Sequence, residues 1–233
     1  MGVSYNPRIV TDGLVFCVDA ANKRSYPGAG TVWTDLTKNK IDGTLTNGPT
    51  FDSANGGSIV FDGTDDEVNT NQQIQFDNTD PYTLSAWIYA SVANNNQIIN
   101  NENTSYRGYQ FGINPSQYLY LFLRNTVTTN YIGIVCDNVF PTDIWKYVTA
   151  THDGSSSSAG LKIYINGVEQ SVSQEGTLTS TTVSDETTLI GRRRPTTQGA
   201  FNGNIALAQI YNRALTAEEI KQNYKATKGR FEV

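Results

Sequence analysis

The sequence predicts an all-β protein, two antiparallel sheets packed face to face with one short C-terminal helix. Three observations predict it. Leu161, Ile163 and Ile165 alternate with Lys162 and Tyr164, the period of a half-buried strand. The run ends in Asn166-Gly167, which tolerates the positive φ angles of a type I′ turn, and Val168 opens the return strand. Near the end of the chain, Thr216 and Glu219 form a capping box for an apolar stripe of Ala217, Ile220 and Tyr224. Gly229 after Lys228 is its expected stop. Finally, only 17% of residues are charged, while Thr, Asn, Ser, Gly and Tyr are abundant, as many short strands joined by polar turns require.

In chain order, strands are expected over residues 14–19, 57–62, 82–89, 97–100, 109–113, 119–124, 131–135, 145–151, 161–165, 188–190 and 204–211. So many strands and one late helix read as two packed sheets. Ser155-Ser-Ser-Ser158, after Asp153-Gly154, is a loop tip rather than a linker, and no repeat period is present. At 233 residues the chain suits one sandwich with a sizeable core. Residues 12–233 are expected to form this domain, and residues 1–11 an arm that grips a neighbouring subunit, since Asn6-Pro7 disfavours regular structure.

Several stretches resemble one family in order. They are Asp12-Gly-Leu-Val-Phe-Cys-Val-Asp-Ala20, the segment from Trp33 to Gly48, Ile59-Val-Phe-Asp-Gly-Thr-Asp-Asp-Glu-Val68 and Tyr82-Thr-Leu-Ser-Ala-Trp-Ile-Tyr89. The strand from Trp145, the hairpin at Asn166-Gly167 and the segment from Phe201 to Ile220 complete the set. Together they resemble the laminin-G-like family of the concanavalin A-like lectin and glucanase superfamily. The resemblance implies a jelly-roll β-sandwich in which one curved sheet presents a concave face. It constrains the fold far more than the function.

Composition narrows the chemistry. A net charge of −5 gives no overall basic field for nucleic acid or an anionic membrane, and no apolar run reaches transmembrane length. The start, Met-Gly-Val-Ser-Tyr-Asn-Pro-Arg, lacks the apolar stretch of a secretory signal, so a complete product of this sequence is expected to be made in the cytosol. Cys17 and Cys136 lie in strand-like runs and read as free buried thiols, with a disulfide left open if their strands are neighbours. No Cys-x-x-Cys spacing suggests a metal.

Catalysis is not expected. The glucanases of the resembling superfamily carry Glu-x-Asp-x-Glu on one strand, which sets both glutamates on one face to flank a glycosidic bond. Glu67, Glu102, Glu169, Glu175 and Glu186 lack such partners, and Glu218-Glu219 belongs to the helix cap. The single histidine, His152, ends a strand without a Gly-x-Ser-x-Gly elbow and reads as half-exposed beside a turn. No phosphate loop or dinucleotide fingerprint is present.

Binding chemistry is more visible. Asp62-Gly63-Thr64-Asp65-Asp66 packs three carboxylates into a turn, hard oxygen ligands that suit calcium, against the alternative of a solvated turn that caps backbone amides. Asp35, Asn39 and Asp42 form a second polar loop. Sugars need aromatic platforms with polar neighbours, and Tyr106, Arg107, Tyr109, Tyr118 and Tyr120 cluster near Asn114 and Gln117. The competing reading places these aromatics in the core, as is expected for Trp87 and Trp145. Arg192-Arg193-Arg194 is the one basic run, either a grip on an acidic partner or anionic glycan, or a solvated loop.

Chains that resemble this one are common among tailed bacteriophages, where they look like capsid decorations, tail appendages or fibre tips. The expected function is therefore a non-catalytic binding and assembly protein on a virion surface, made in the host cytoplasm. Its expected partners are viral structural proteins of capsid or tail and cell-surface glycans. Two alternatives are a calcium-dependent bacterial lectin module, extracellular or at the cell surface, and a glycoside-acting enzyme.

Overall fold

The computed structural model describes residues 7–91, 95–194 and 199–231. In chain order the strands begin with β1 (Leu14–Asp19), β2 (Val32–Trp33), β3 (Gly43–Thr46), β4 (Thr50–Asp52), β5 (Ser58–Asp62) and β6 (Glu67–Asn69). β7 (Tyr82–Ala90), β8 (Asn96–Asn100), β9 (Gly108–Ile113), β10 (Leu119–Arg124) and β11 (Tyr131–Cys136) follow. Then come β12 (Trp145–His152), β13 (Leu161–Ile165), β14 (Val168–Glu169), β15 (Val172–Thr177), β16 (Leu189–Ile190) and β17 (Asn202–Tyr211), and one α-helix, α1 (Ala217–Thr227). None of the described helices is long and apolar enough to cross a membrane.

All pairings are antiparallel, and they make two sheets, as the sequence predicts for a jelly-roll sandwich. The eight-stranded sheet runs β14-β13-β12-β7-β17-β5-β4, with β1 also on β17. One side of β17 is shared, β5 taking residues 202–205 and β1 residues 207–211, with a bulge between Ile205 and Leu207 in its pairing with β7. The nine-stranded sheet runs β15-β11-β10-β9-β8-β16-β6-β3-β2.

Period-two alternation builds the core between the sheets. Phe16, Leu84, Ala86, Ile88, Val148, Ala150 and Ile210 from one sheet meet Phe111, Leu121, Leu123, Ile132 and Ile134 from the other. Trp87 stands on the opposite face of β7, because the pairing with β12 runs without a bulge. There it forms a second core with Trp145, Tyr147, Leu207 and Phe231. Phe231 stacks on Trp87 at 4.1 Å, and the Trp87 indole donates to Thr227 Oγ1 at 2.7 Å. Both tryptophans are core residues, buried beneath the C-terminal segment rather than between the sheets.

The hairpin and helix form as their residues predict. Asn166 and Gly167 both have positive φ, 52° and 77°, the type I′ pattern. Thr216 and Glu219 make the reciprocal capping box. The helix stripe is corrected in one position. Ala217 is exposed, and Asn223 is buried in its place beside Ile220. The Asn223 carboxamide accepts from Val10 N at 2.7 Å and donates to Tyr211 Oη at 3.0 Å, so a polar residue is satisfied in the interior. Gly229 does not stop the helix in a left-handed turn. It lies in a 3-10 turn, Lys228–Arg230, that continues from Thr227.

Of the expected arm, residues 1–6 lie outside the described residues. Arg8 and Val10 are held on this chain's own helix and last strand: Gln222 donates to Arg8 O, Val10 N donates to Asn223 Oδ1, and Tyr211 Oη donates to Val10 O. Cys17 and Cys136 are free and buried, on different sheets, and burial pushes each thiol up to about 12.

Candidate functional site

Strand β10 shows how a polar face arises on the nine-stranded sheet. Leu119, Leu121 and Leu123 fill the core, so Tyr120, Phe122 and Arg124 point the other way. Their cross-strand neighbours on that outer face are Gly112, Gln110 and Gly108 on β9, and Val135, Gly133 and Tyr131 on β11. The Phe122 ring passes over Gly133, where a Cβ would come within 2.2 Å of it, so only glycine leaves room for this ring.

A hydrogen-bonded network floors the face. Tyr120 Oη accepts from Gln97 Nε2 at 2.7 Å and from Gln110 Nε2 at 2.6 Å. Burial pushes the Tyr120 phenol up to about 12, so it stays neutral at ordinary pH. Arg124 Nη1 donates to Glu102 Oε1 at 2.6 Å and also to Gln110 Oε1. Glu102 is fully buried, and its second oxygen faces Arg193 Nε at 2.8 Å, off the hydrogen-bond direction. The pair is thus an ion contact without an aligned bond. Asn100 Oδ1 accepts from Glu102 N at 2.8 Å, while its buried Nδ2 has no partner among the described residues.

Both arginines lie on aromatic faces. The Arg124 guanidinium is 4.0 Å from the Phe122 ring centre, and that of Arg193 is 4.8 Å from Tyr106. Tyr106 is set by a tight turn in which Asn103 Oδ1 accepts from Ser105 N and Arg107 N, and Tyr106 itself has a φ of 63°.

The structure divides the five residues expected to bind glycan. Tyr106 and Tyr120 reach the outer-face network. Tyr109 does not: it is fully buried between the sheets, with Oη donating to Ile74 O at 2.9 Å, because its backbone pairs with Leu123 and shares that residue's core face. Tyr118 is half-buried and lines a 300 Å³ cavity with Val135, Cys136, Asp137 and Ser173. Arg107 lines a separate 420 Å³ cavity that includes Gln73, Asn103 and Asp185. The network residues the sequence reading passed over are Gln97, Asn100, Gln110, Phe122 and Arg124. For Phe122 and Arg124 the available signal was the strict alternation of β10 between leucine and large or polar residues, whereas Gln97 and Asn100 lie on β8 and Gln110 on β9.

Arg192-Arg193-Arg194 is not a solvated run. Arg192 donates to Asp65 O and lies 3.9 Å from Glu67. Arg194 meets Glu67 at 2.6 Å and Glu186 at 3.6 Å. Each arginine of the run thus faces a carboxylate of its own chain.

The acidic turn does bring its three side chains together. Asp62, Asp65 and Asp66 each offer a carboxylate oxygen, all within 4.8 Å of one another. Asp66 is buried, and its carboxyl is raised above the usual range, first by burial and also by the charges of Asp62 and Asp65, against the bond it accepts from Asp62 N. The second polar loop is spent internally. Asp35 accepts from Cys17 N, Thr37 N and Ile41 N, and Asp42 accepts from Asp35 N. His152 is fully buried, not half-exposed, with Nδ1 3.0 Å from Asp80 O, and burial holds its imidazole below the ordinary value.

Comparison with known proteins places this geometry. A family model described as the concanavalin A-like lectin/glucanases superfamily matches residues 62–221. No curated protein matches the chain. Among solved structures, the binding domain of Paraclostridial Mosquitocidal Protein 1 is 17% identical, with a TM-score of 0.66 over 91% of this chain and 52% of that one. The binding domain of botulinum neurotoxin serotype D is also 17% identical, with a TM-score of 0.66 over 92% of this chain and 52% of that one. Trypanosoma rangeli sialidase in complex with sialic acid is 14% identical, with a TM-score of 0.66 over 97% of this chain and 36% of that one. The chain thus spans about half the length of the two toxin domains and about a third of the sialidase. At these identities the likeness is one of fold.

Proposed function

The chain belongs to the concanavalin A-like lectin/glucanase superfamily, and from that premise we propose that it is a non-catalytic module that binds a glycan on the outer face of its nine-stranded sheet. One observation carries this reading. The face sets two aromatic rings, Tyr106 and Phe122, beside two planar donors, Arg193 and Arg124, as a sugar's apolar face and hydroxyls require. The reading as a binder rather than a hydrolase rests on Glu102 and Glu67. Glu102 is fully buried and faces two arginines, and Glu67 likewise meets two arginines, so both carboxylates are engaged as ion-pair partners. The toxin binding domains among its structural neighbours support the same reading.

The finer assignment is a surface component of a tailed-bacteriophage particle, on capsid or tail, for which the support is the resemblance of Asp12-Gly-Leu-Val15 and Tyr211-Asn-Arg-Ala-Leu-Thr216 to such proteins. Mass spectrometry of purified particles from the source checks this placement, and absence of the chain from every particle refutes it.

The acidic turn fits calcium, since three carboxylate oxygens converge within 4.8 Å of one another, with Arg192 reaching the backbone oxygen of Asp65 rather than a carboxylate of the turn. Asp62, Asp65 and Asp66 would hold the ion, which would supply a cross-link of the turn after β5.

A glycan-array screen of the purified chain, with calcium and with a chelator, tests the reading. Binding under either condition supports it, and calcium dependence assigns the metal a part in recognition. Absence of binding under both conditions refutes it in favour of a purely structural role.

A further inference from the structure

The geometry points to an acidic glycan: the outer face of the nine-stranded sheet recognises the carboxylate of a sugar acid through Arg193 and Arg124. This rests on the glycan-binding reading above and names the chemical class of its ligand.

Two guanidinium groups share one carboxylate, that of Glu102. The side chains of Arg124 and Arg193 are only 12% and 14% exposed, and Glu102 is not exposed at all. Among the described residues, two positive charges against one negative leave one charge uncompensated in a largely desolvated place, where a free charge is costly and an arriving anion is strongly favoured.

Geometry points the same way. Among the described residues, Arg193 touches Glu102 without an aligned hydrogen bond, and the Nε of Arg124 also has no partner. Asn100, fully buried on the same face, holds an unpartnered Nδ2. The donors here outnumber the acceptors, and a ligand that brings acceptor oxygens corrects this. Arginine's planar fork suits a carboxylate in particular.

The surroundings fit a sugar ring rather than a bare ion. Tyr106 and Phe122, each under one of the two guanidinium groups, put aromatic rings beside the charge. Gln110 and the Tyr120 hydroxyl, buried and bonded to Gln97, to each other and to Arg124, fix the floor on which the guanidinium groups stand. The neighbouring pair, Arg192 and Arg194, meets two carboxylates, Glu67 and Glu186, and has no such excess.

The test titrates the full chain with alginate, polygalacturonate and sialyllactose. Each is set beside its neutral counterpart, carboxyl-reduced alginate, carboxyl-reduced polygalacturonate and lactose. Binding of at least one acid, with its counterpart at least about tenfold weaker, is expected, and the polymer and sialyl arms distinguish uronic from sialic acids. Affinity for that acid falls as salt rises from about 0.05 to about 0.5 M, because screening weakens the charge contact. Arg193→Gln lowers affinity by about tenfold or more, and Arg193→Lys restores part of it. Glu102→Gln removes the competing carboxylate and tightens binding, a direction that mere loss of structure does not give. The salt series on the unaltered protein keeps the test decisive if a variant fails to fold. Equal binding of acid and neutral counterpart, salt-independent binding, or full affinity in a folded Arg193→Gln overturns the inference. Binding of neutral glycans alone overturns it while leaving the glycan reading intact. Binding of nothing overturns both.

Discussion

Replacing Asn166 by alanine removes two separable contributions, and a second variant tells them apart. Asn166 sits at a φ of 52°, in the left-handed region, and its Oδ1 accepts from Tyr147 N at 2.9 Å. Left-handed backbone costs an ordinary L-residue about 1–2 kcal/mol, and asparagine less. The lost hydrogen bond costs about 1 kcal/mol. Asn166→Ala should therefore destabilise the fold by about 2 kcal/mol. Asn166→Gly keeps the backbone accessible and loses only the bond, so it should cost about 1 kcal/mol. Gly167→Ala meets a third constraint. Its φ is 77°, and a new Cβ would stand 3.1 Å from Lys221 Cα on the helix. This places its cost at about 1–2 kcal/mol or above, since the helix backbone must yield. Urea unfolding followed by fluorescence measures all three, with an unchanged m-value required for the comparison. Equal losses in Asn166→Ala and Asn166→Gly, or no loss in Gly167→Ala, would refute the turn-geometry reasoning.

Phe231→Ala should cost about 3 kcal/mol and shift tryptophan emission to the red, because Phe231 covers both Trp87 and Trp145; an unshifted spectrum sinks this account of the second core. Burial holds His152 below its ordinary value, so the unfolded chain takes up the proton first. Stability is then complete above about pH 6.5 and falls as pH drops below it, and His152→Gln should lose that slope between about pH 5 and 7. Urea midpoints at both ends of the window check it, and an undiminished slope in the variant is the contrary result. Arg213 holds Glu219 below the usual carboxylate range, so its contribution is present above about pH 4 and is lost as pH falls through the lower folded value. Glu219→Gln should flatten that acid limb, whereas an acid transition identical to that of the unaltered chain removes Glu219 from it. Thr216→Ala should cost about 1 kcal/mol through the lost cap, read as a lower melting temperature.

The strands that were legible are those whose own residues alternate. Strands β1, β10 and β13 fall on the expected residues because an apolar face repeats along each of them. Strand β15, Val172–Thr177, gives no such signal. It is an exposed edge of polar residues, and its extended form is imposed by pairing with β11. The same holds for β2 and β4, only two or three residues long and fixed by neighbours. The helix misreading has a related origin. Periodicity favours Ala217, but Asn223 is buried because it finds Val10 and Tyr211, partners from the two ends of the sandwich's chain.

The candidate site was less legible because register and charge partners are not written locally. Tyr109 and Tyr120 look equivalent in sequence, two aromatics in adjacent strands. Pairing decides between them: Tyr109 lies opposite Leu123 and joins the core, and Tyr120 lies opposite Gly112 and joins the outer face. One residue of register shift would exchange their roles. The arginine run is a sharper case. Its composition reads as a solvated patch, yet Arg193 crosses to Glu102, a residue about ninety positions earlier that the sequence marks only as an unpaired glutamate. A carboxylate in mid-chain carries no label that says two arginines will converge on it. That convergence gives the face its character: a fully buried acid, too few negative charges for its two cations, and aromatic rings beneath both. Stability alone does not ask for this arrangement, because an apolar cluster of the same size would avoid the desolvation of three ions. The excess charge is what a ligand would answer, and it is why the outer face rather than the acidic turn is the stronger site on this molecule.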